Sequence, residues 1–155
     1  MFMGRVKTLS LTSANIQQEI KDADIIVGAV LVPGGKTPVL ITRDMLKTMK
    51  KGAVIVDVAI DQGGSAETSR PSTHDNPVYV VDGIIHYTVA NMPGAYPRTS
   101  TLALTNATLP YIKMIADMGI ESASCDPILR TALNTYQGNI THPVLAEAMN
   151  RNKKG

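Results

Sequence analysis

Tryptophan is absent, phenylalanine and cysteine each occur once, and five tyrosines complete the aromatic complement of the 155 residues. With Cys125 alone, neither an intrachain disulfide nor a CxxC metal cage can form, and the default setting is a reducing one, the cytoplasm. Cys125 is expected to pack as a small apolar side chain. So few aromatics offer no stacking platform for nucleic-acid bases. Neither sign of charge dominates, since 15 Lys plus Arg stand against 13 Asp plus Glu, and only Arg151, Lys153 and Lys154 cluster, at the very end. Nucleic acid is therefore not an expected partner. Long apolar runs are missing too. The uncharged stretch from Gly83 to Pro97 is broken by His, Asn, Thr and Pro, short of the roughly 18 apolar residues of a membrane span. Arg5 and Lys7 lead into Thr, Ser and Asn rather than into the apolar stretch of a secretory signal. His74, His86 and His142 lie far apart and show neither HxxxH nor HxE spacing, so no metal site is expected.

What is present is enough apolar material, 44% of residues, for one core of ordinary size. Three short β-branched runs stand out: Ile25 to Val32, Ala53 to Ile60 and Val78 to Ile85. Each is nearly continuous and bounded by Gly, Pro or Asp, the pattern of strands buried on both faces of a parallel sheet. Helical periodicity lies before and between them. Ser13 is placed to cap a helix with Ile16, Ile20 and Ala23 on one side. Thr42 is placed to cap another, with Met45, Leu46 and Met49 inward and Gly52 just past its end. After Pro97 the pattern is helical throughout. Ser100 to Met118 forms one helix that Gly119 stops and Pro110 should kink or divide. Asp126-Pro127 opens a short helix to Leu133, Tyr136 to Asn139 turns, and Pro143 to Asn150 closes the chain. The expected fold is α/β, half of a doubly wound parallel sheet of about three strands with helices, over residues 1–98, then a helical C-terminal tail over 99–155. Three strands with helices for little more than one face leave a face or an edge uncovered.

Ligands of open parallel sheets bind beyond the carboxyl ends of the strands. That rule selects three loops: Pro33-Gly34-Gly35, Asp61-Gln62-Gly63-Gly64, and the stretch after Ile85 that contains Asn91-Met92-Pro93-Gly94. Asp61 is the only acidic group immediately past a strand end and is the leading candidate for chemistry. Each Gly pair reads equally as an ordinary turn, and Asp57 and Asp82 read as structural. Gly35-Lys36-Thr37 is no phosphate loop, because Val30 stands where that motif needs glycine and Pro38 follows at once. No GxGxxG occurs.

The loops nevertheless resemble a known family. Leu31-Val32-Pro33-Gly34, the run from Val54 to Gly64, Glu67-Thr68-Ser69-Arg70-Pro71 and His86 to Gly94 are similar to segments of the alanine dehydrogenases. The similarity continues through Pro97 to Thr101 and Leu104 to Tyr111, then less sharply to the end. The related transhydrogenase alpha subunits share part of the pattern but typically carry Gln where this chain has Asp61, which favours the alanine dehydrogenase branch. The resemblance implies a Rossmann-like NAD domain and the reaction of L-alanine, NAD and water to pyruvate, ammonia and NADH. It further implies that Val30, Leu31, Val58 and Asp61 line the cofactor cleft, that Val89, Asn91 and Met92 close it around the nicotinamide, and that Asp61 is catalytic.

The same resemblance places the family's catalytic Lys and His, its GxGxxG turn and its ribose-binding acid before the segment that begins at Met3-Gly4-Arg5-Val6. The expectation is therefore a C-terminal portion, inactive alone, as a truncated gene, an internal start or a split enzyme would give. Its expected partners are L-alanine or pyruvate in the complete enzyme and either further copies of itself, as a homo-oligomer, or a complementing N-terminal half. The alternatives are a non-catalytic module of a split enzyme and a transhydrogenase-like NAD-binding fragment.

Overall fold

The computed structural model describes residues 4–152, with side chains to residue 149; Lys153 and Lys154, and the side chain of Arg151, lie outside the described residues. The chain divides into two units, residues 1–31 with 37–91, and residues 32–36 with 92–155.

The first unit is built on a four-stranded sheet: β1 (Ile25–Gly28), β2 (Val54–Asp57), β3 (Val78–Val81) and β4 (Ile84–Tyr87), in the order β1-β2-β4-β3. β1, β2 and β4 run parallel, with Ile26 opposite Ile55 and Ile55 opposite His86. The run Val78 to Ile85 is thus not one strand but most of a hairpin, whose second strand continues to Tyr87. Asp82 and Gly83 both take positive φ, 50° and 81°, the two-residue turn whose twist matches that of the strands it joins. β3 therefore returns antiparallel to β4. The first two runs also leave the sheet early, at Gly28 and Asp57, and Val58–Gln62 winds into a 3-10 turn.

Burial on both faces, the expectation for these runs, is met on one face only. α1 (Ser13–Glu19) and α2 (Arg43–Leu46) bring Ile20, Met45 and Leu46 onto Ile55 and Ile84, with Ile41, Met49, Ala53 and Ala66 completing the core. Because side chains alternate along a strand, the other face carries Ile25, Val27, Val54, Val56, Ile85, Tyr87, Val78 and Val80, none of them buried. Ile25, Val27 and Val80 are each 60% exposed or more, since both helices of the unit serve the opposite face. Local signals explain α2: the Thr42 hydroxyl accepts from the Met45 amide, while Glu67 accepts from the Arg43 amide at 2.7 Å. α1 is capped one residue earlier than expected, by Thr12 rather than Ser13.

In the second unit α3 (Pro97–Cys125) is interrupted at Gly119, where φ is 77° and ψ 161°. Pro110 lies inside the helix with helical backbone on either side, so the break falls at Gly119 and not at the proline. The tail is not all helix: β5 (Thr135–Tyr136) and β6 (Asn139–Ile140) form a small hairpin before α4 (Pro143–Asn152). Asp126 caps as expected, accepting from the amides of Ile128 and Leu129 at 2.9 Å each, and the turn it starts is a 3-10 helix, Leu129–Ala132. Cys125 is exposed rather than packed, since at this end of α3 it is Ala123 that turns inward. No helix among the described residues is long and apolar enough to cross a membrane.

Candidate functional site at the ends of β1 and β2

Past the carboxyl ends of β1 and β2 lies a cleft of about 260 Å³. Ala29, Val30 and Leu31 line it from the β1 side; Val58, Ala59, Asp61 and Gln62 line it from the 3-10 turn that follows β2. Four of the expected site residues, Val30, Leu31, Val58 and Asp61, therefore meet at one place. Leu31 is 72% exposed and Val58 47%, so the slot has apolar walls open to a ligand. Val89 is instead fully buried and bridges to Ser72, leaving its side chain no free surface. Asn91 lies outside the cleft lining with a left-handed φ of 54°, its carbonyl 3.3 Å from Nε2 of His74. Met92 belongs to the second unit.

Asp61 is exposed. The turn behind it is closed by backbone, since the Gly63 amide donates to the Ile60 carbonyl at 3.0 Å and the Gly64 amide to the Ala59 carbonyl at 3.1 Å. Those amides are thus engaged without the Asp61 carboxylate, which has no hydrogen-bond or ion-pair partner among the described residues.

Asp57, fully buried at the end of β2, holds the loop in place. Its Oδ2 accepts from the Ser65 amide at 2.7 Å, the Ala66 amide at 3.2 Å and the Ser69 hydroxyl at 2.5 Å. The Gly pairs serve this packing. A Cβ on Gly64 would lie 2.6 Å from Cβ of Ser69, and one on Gly34, in the second unit, 2.8 Å from the His142 ring. Both glycines thus make room for a protein side chain, the structural reading of such pairs.

On the same covered face His86 is buried between strands. Its Nδ1 donates to the Ile84 carbonyl at 3.0 Å, which leaves Nε2 to accept from the Thr68 hydroxyl at 2.8 Å. The ring stacks on Tyr79, centroids 5.0 Å apart, and the Arg70 guanidinium covers the other aromatic at 4.1 Å. Burial pushes the imidazole pKa below its ordinary value, against the opposing pull of the Ile84 carbonyl and Asp57. A base whose folded pKa is depressed stabilises the fold above its unfolded pKa and destabilises it as protons become available to the unfolded chain. The melting temperature is expected to fall as pH drops below about 6.5, and the fall should be shallower in His86→Gln, as calorimetry across pH would show; identical slopes would contradict this.

Gln62 lies in a loop that the strand-end rule selects, although only Asp61 is singled out there. It lines the cleft, yet its Oε1 is buried and accepts no hydrogen bond. The slot thus combines apolar walls with one free, exposed carboxylate. No set of three His, Cys, Asp or Glu among the described residues is placed to bind a metal.

Residues 1–143 match the family model "Alanine dehydrogenase/PNT, C-terminal domain". The alanine dehydrogenase of Staphylococcus haemolyticus is 53% identical over 150 residues, 96% of this chain but 40% of the relative. A solved L-alanine dehydrogenase superposes with a TM-score of 0.78 at 43% identity, covering 97% of this chain and 42% of the other. A transhydrogenase from Sinorhizobium meliloti superposes at 0.66 and 25% identity, over 83% of this chain and 36% of the other. The chain thus spans about 40% of the length of the alanine dehydrogenases it matches. It belongs to the alanine dehydrogenase/PNT family, as a C-terminal domain.

Proposed function

We propose that the cleft at the ends of β1 and β2 holds the nicotinamide end of NAD in an alanine dehydrogenase, interconverting L-alanine with pyruvate and ammonia in the cytoplasm. The observation that carries this is the meeting of Val30, Leu31 and Val58 with the unpartnered carboxylate of Asp61. NAD, when bound, supplies the hydride acceptor. Val30, Leu31 and Val58 exclude water from the ring, and Asp61 takes or holds a proton of the amine or imine of the substrate. Val89, Asn91 and Met92 enter this reading on the resemblance alone.

The partner in this reading is a complementing N-terminal half carrying the family's Lys, His and GxGxxG. Two features of the first unit support it. β1 pairs only with β2, leaving one edge with unmet backbone groups, and the open sheet face is apolar except for the Tyr87 hydroxyl. The exposed Leu102, Leu104, Leu109 and Ile112 of α3 support association as well, with another copy or with that half. The chain alone is expected to show negligible turnover, because pyrophosphate binding and the substrate-binding cations would be missing together. Alanine-dependent NADH formation by the purified chain at the rate of an ordinary dehydrogenase would contradict this.

A further inference from the structure

We propose that the second unit carries a binding site for a small organic anion, a carboxylate or a phosphate ester, in a cleft that the cofactor reading does not involve. The cleft measures about 500 Å³, within the roughly 300–1,000 Å³ of small-molecule sites. Arg130 of the 3-10 turn, Tyr136 of β5 and His142 ahead of α4 line it, together with Ser124, Thr131 and Thr141. No carboxylate is among the lining side chains. Arg130 is exposed, and its guanidinium has neither an ion pair nor a hydrogen bond among the described residues. The hydroxyl protons of the Ser and Thr side chains are engaged elsewhere: Thr131 donates to the Ile128 carbonyl and Ser124 to the Glu121 carbonyl, each at 2.7 Å, and Thr141 to the Leu133 carbonyl at 2.8 Å. Donors for a ligand therefore come from Arg130, His142 and Tyr136. The Nδ1 of His142 accepts from the Leu145 amide at 3.4 Å, which puts the proton of the neutral ring on Nε2. The ring is held against Gly34, where a Cβ would lie 2.8 Å from its Cε1, an approach that only glycine permits. The Tyr136 hydroxyl has no partner among the described residues. A guanidinium fork, an imidazole N–H and a phenol on one cleft that holds no acid match an oxyanion and offer a cation no counter-charge. The volume exceeds what an inorganic ion fills, and Leu133 and Pro143 supply apolar wall, so the ligand carries an apolar body beside its charge.

The test is a titration of the ¹⁵N-labelled full chain with phenyl phosphate, benzoate and benzylamine, probes that share a ring and differ in charge. Both anions are expected to shift the amides of Arg130, Thr131, Thr141 and His142 in a saturable way, and benzylamine to leave them in place. Tighter binding of phenyl phosphate assigns the site to phosphate esters and tighter binding of benzoate to carboxylates; either order supports an anion site. Arg130→Gln should weaken both anions at least about tenfold, the loss of a charge-assisted hydrogen bond. Tyr136→Phe should weaken them about threefold, the loss of a neutral one. The spectrum of each variant reports directly whether it is folded. No saturable shift with either anion overturns the proposal, as do equal shifts with benzylamine or undiminished binding in folded Arg130→Gln. The cleft lies wholly within the second unit, so its failure leaves the cofactor reading, which stands on Val30, Leu31, Val58 and Asp61, untouched.

Discussion

Asp61→Asn, placed in an enzyme assembled from this chain and the N-terminal portion of an alanine dehydrogenase, is expected to lower kcat by about two orders of magnitude or more, the lower range of what a positioned acid or base contributes. The amide keeps the shape of the side chain but neither its charge nor its proton-accepting capacity. NAD affinity should change far less, since most contacts to a dinucleotide lie along its pyrophosphate and ribose. Were Asp61 only a cap for the turn, the substitution would instead cost about 1 kcal/mol of stability and leave turnover nearly intact. The geometry speaks against the cap, because Gly63 and Gly64 already donate to backbone carbonyls. Steady-state kcat measured beside the melting temperature separates the two outcomes, and an unchanged kcat would remove Asp61 from the chemistry.

Asp57→Ala is expected to be the most destabilising single change in the first unit, costing about 3 kcal/mol or more. Three donors converge on one buried carboxylate oxygen. Removing it strands the amides of Ser65 and Ala66 away from water, where hydrogen bonds to a charged group are worth roughly 1.5–3 kcal/mol each. That is a large part of the roughly 5–15 kcal/mol by which a domain is stable. Asp57→Asn keeps an acceptor at the same place and should lose much less. A urea midpoint for Asp57→Ala equal to that of the unaltered chain would show that the loop holds without its clasp.

Much of this was legible in the residues themselves. The parallel strands β1 and β2 follow from their β-branched runs, α2 from Thr42, the break in α3 from Gly119, and the cleft from the rule that ligands gather where parallel strands end. The resemblance then selected Val30, Leu31, Val58 and Asp61, and the structure brings them together. The hairpin was hidden because Asp82-Gly83 sits inside an apolar run that reads as continuous strand, although that dipeptide is itself a turn signal. Pro110 misled because a proline in a helix does not show how its neighbours accommodate the lost hydrogen bond. β5 and β6 are two residues each, too short for alternation to register. Gln62 lies in a loop that the strand-end rule selects, but that its amide oxygen lacks a donor is a fact of packing. Val89 belongs to the same class: its bridge to Ser72 joins segments far apart in the chain.

The account stands most directly on complementation. The chain is mixed with residues of the S. haemolyticus alanine dehydrogenase that precede the matched segment, and alanine-dependent NADH formation is followed by absorbance. Neither polypeptide alone should turn over, the mixture should, and Asp61→Asn in this chain should bring the mixture down by about two orders of magnitude. A stable complex of the two that forms no NADH from L-alanine and NAD would contradict the proposed function.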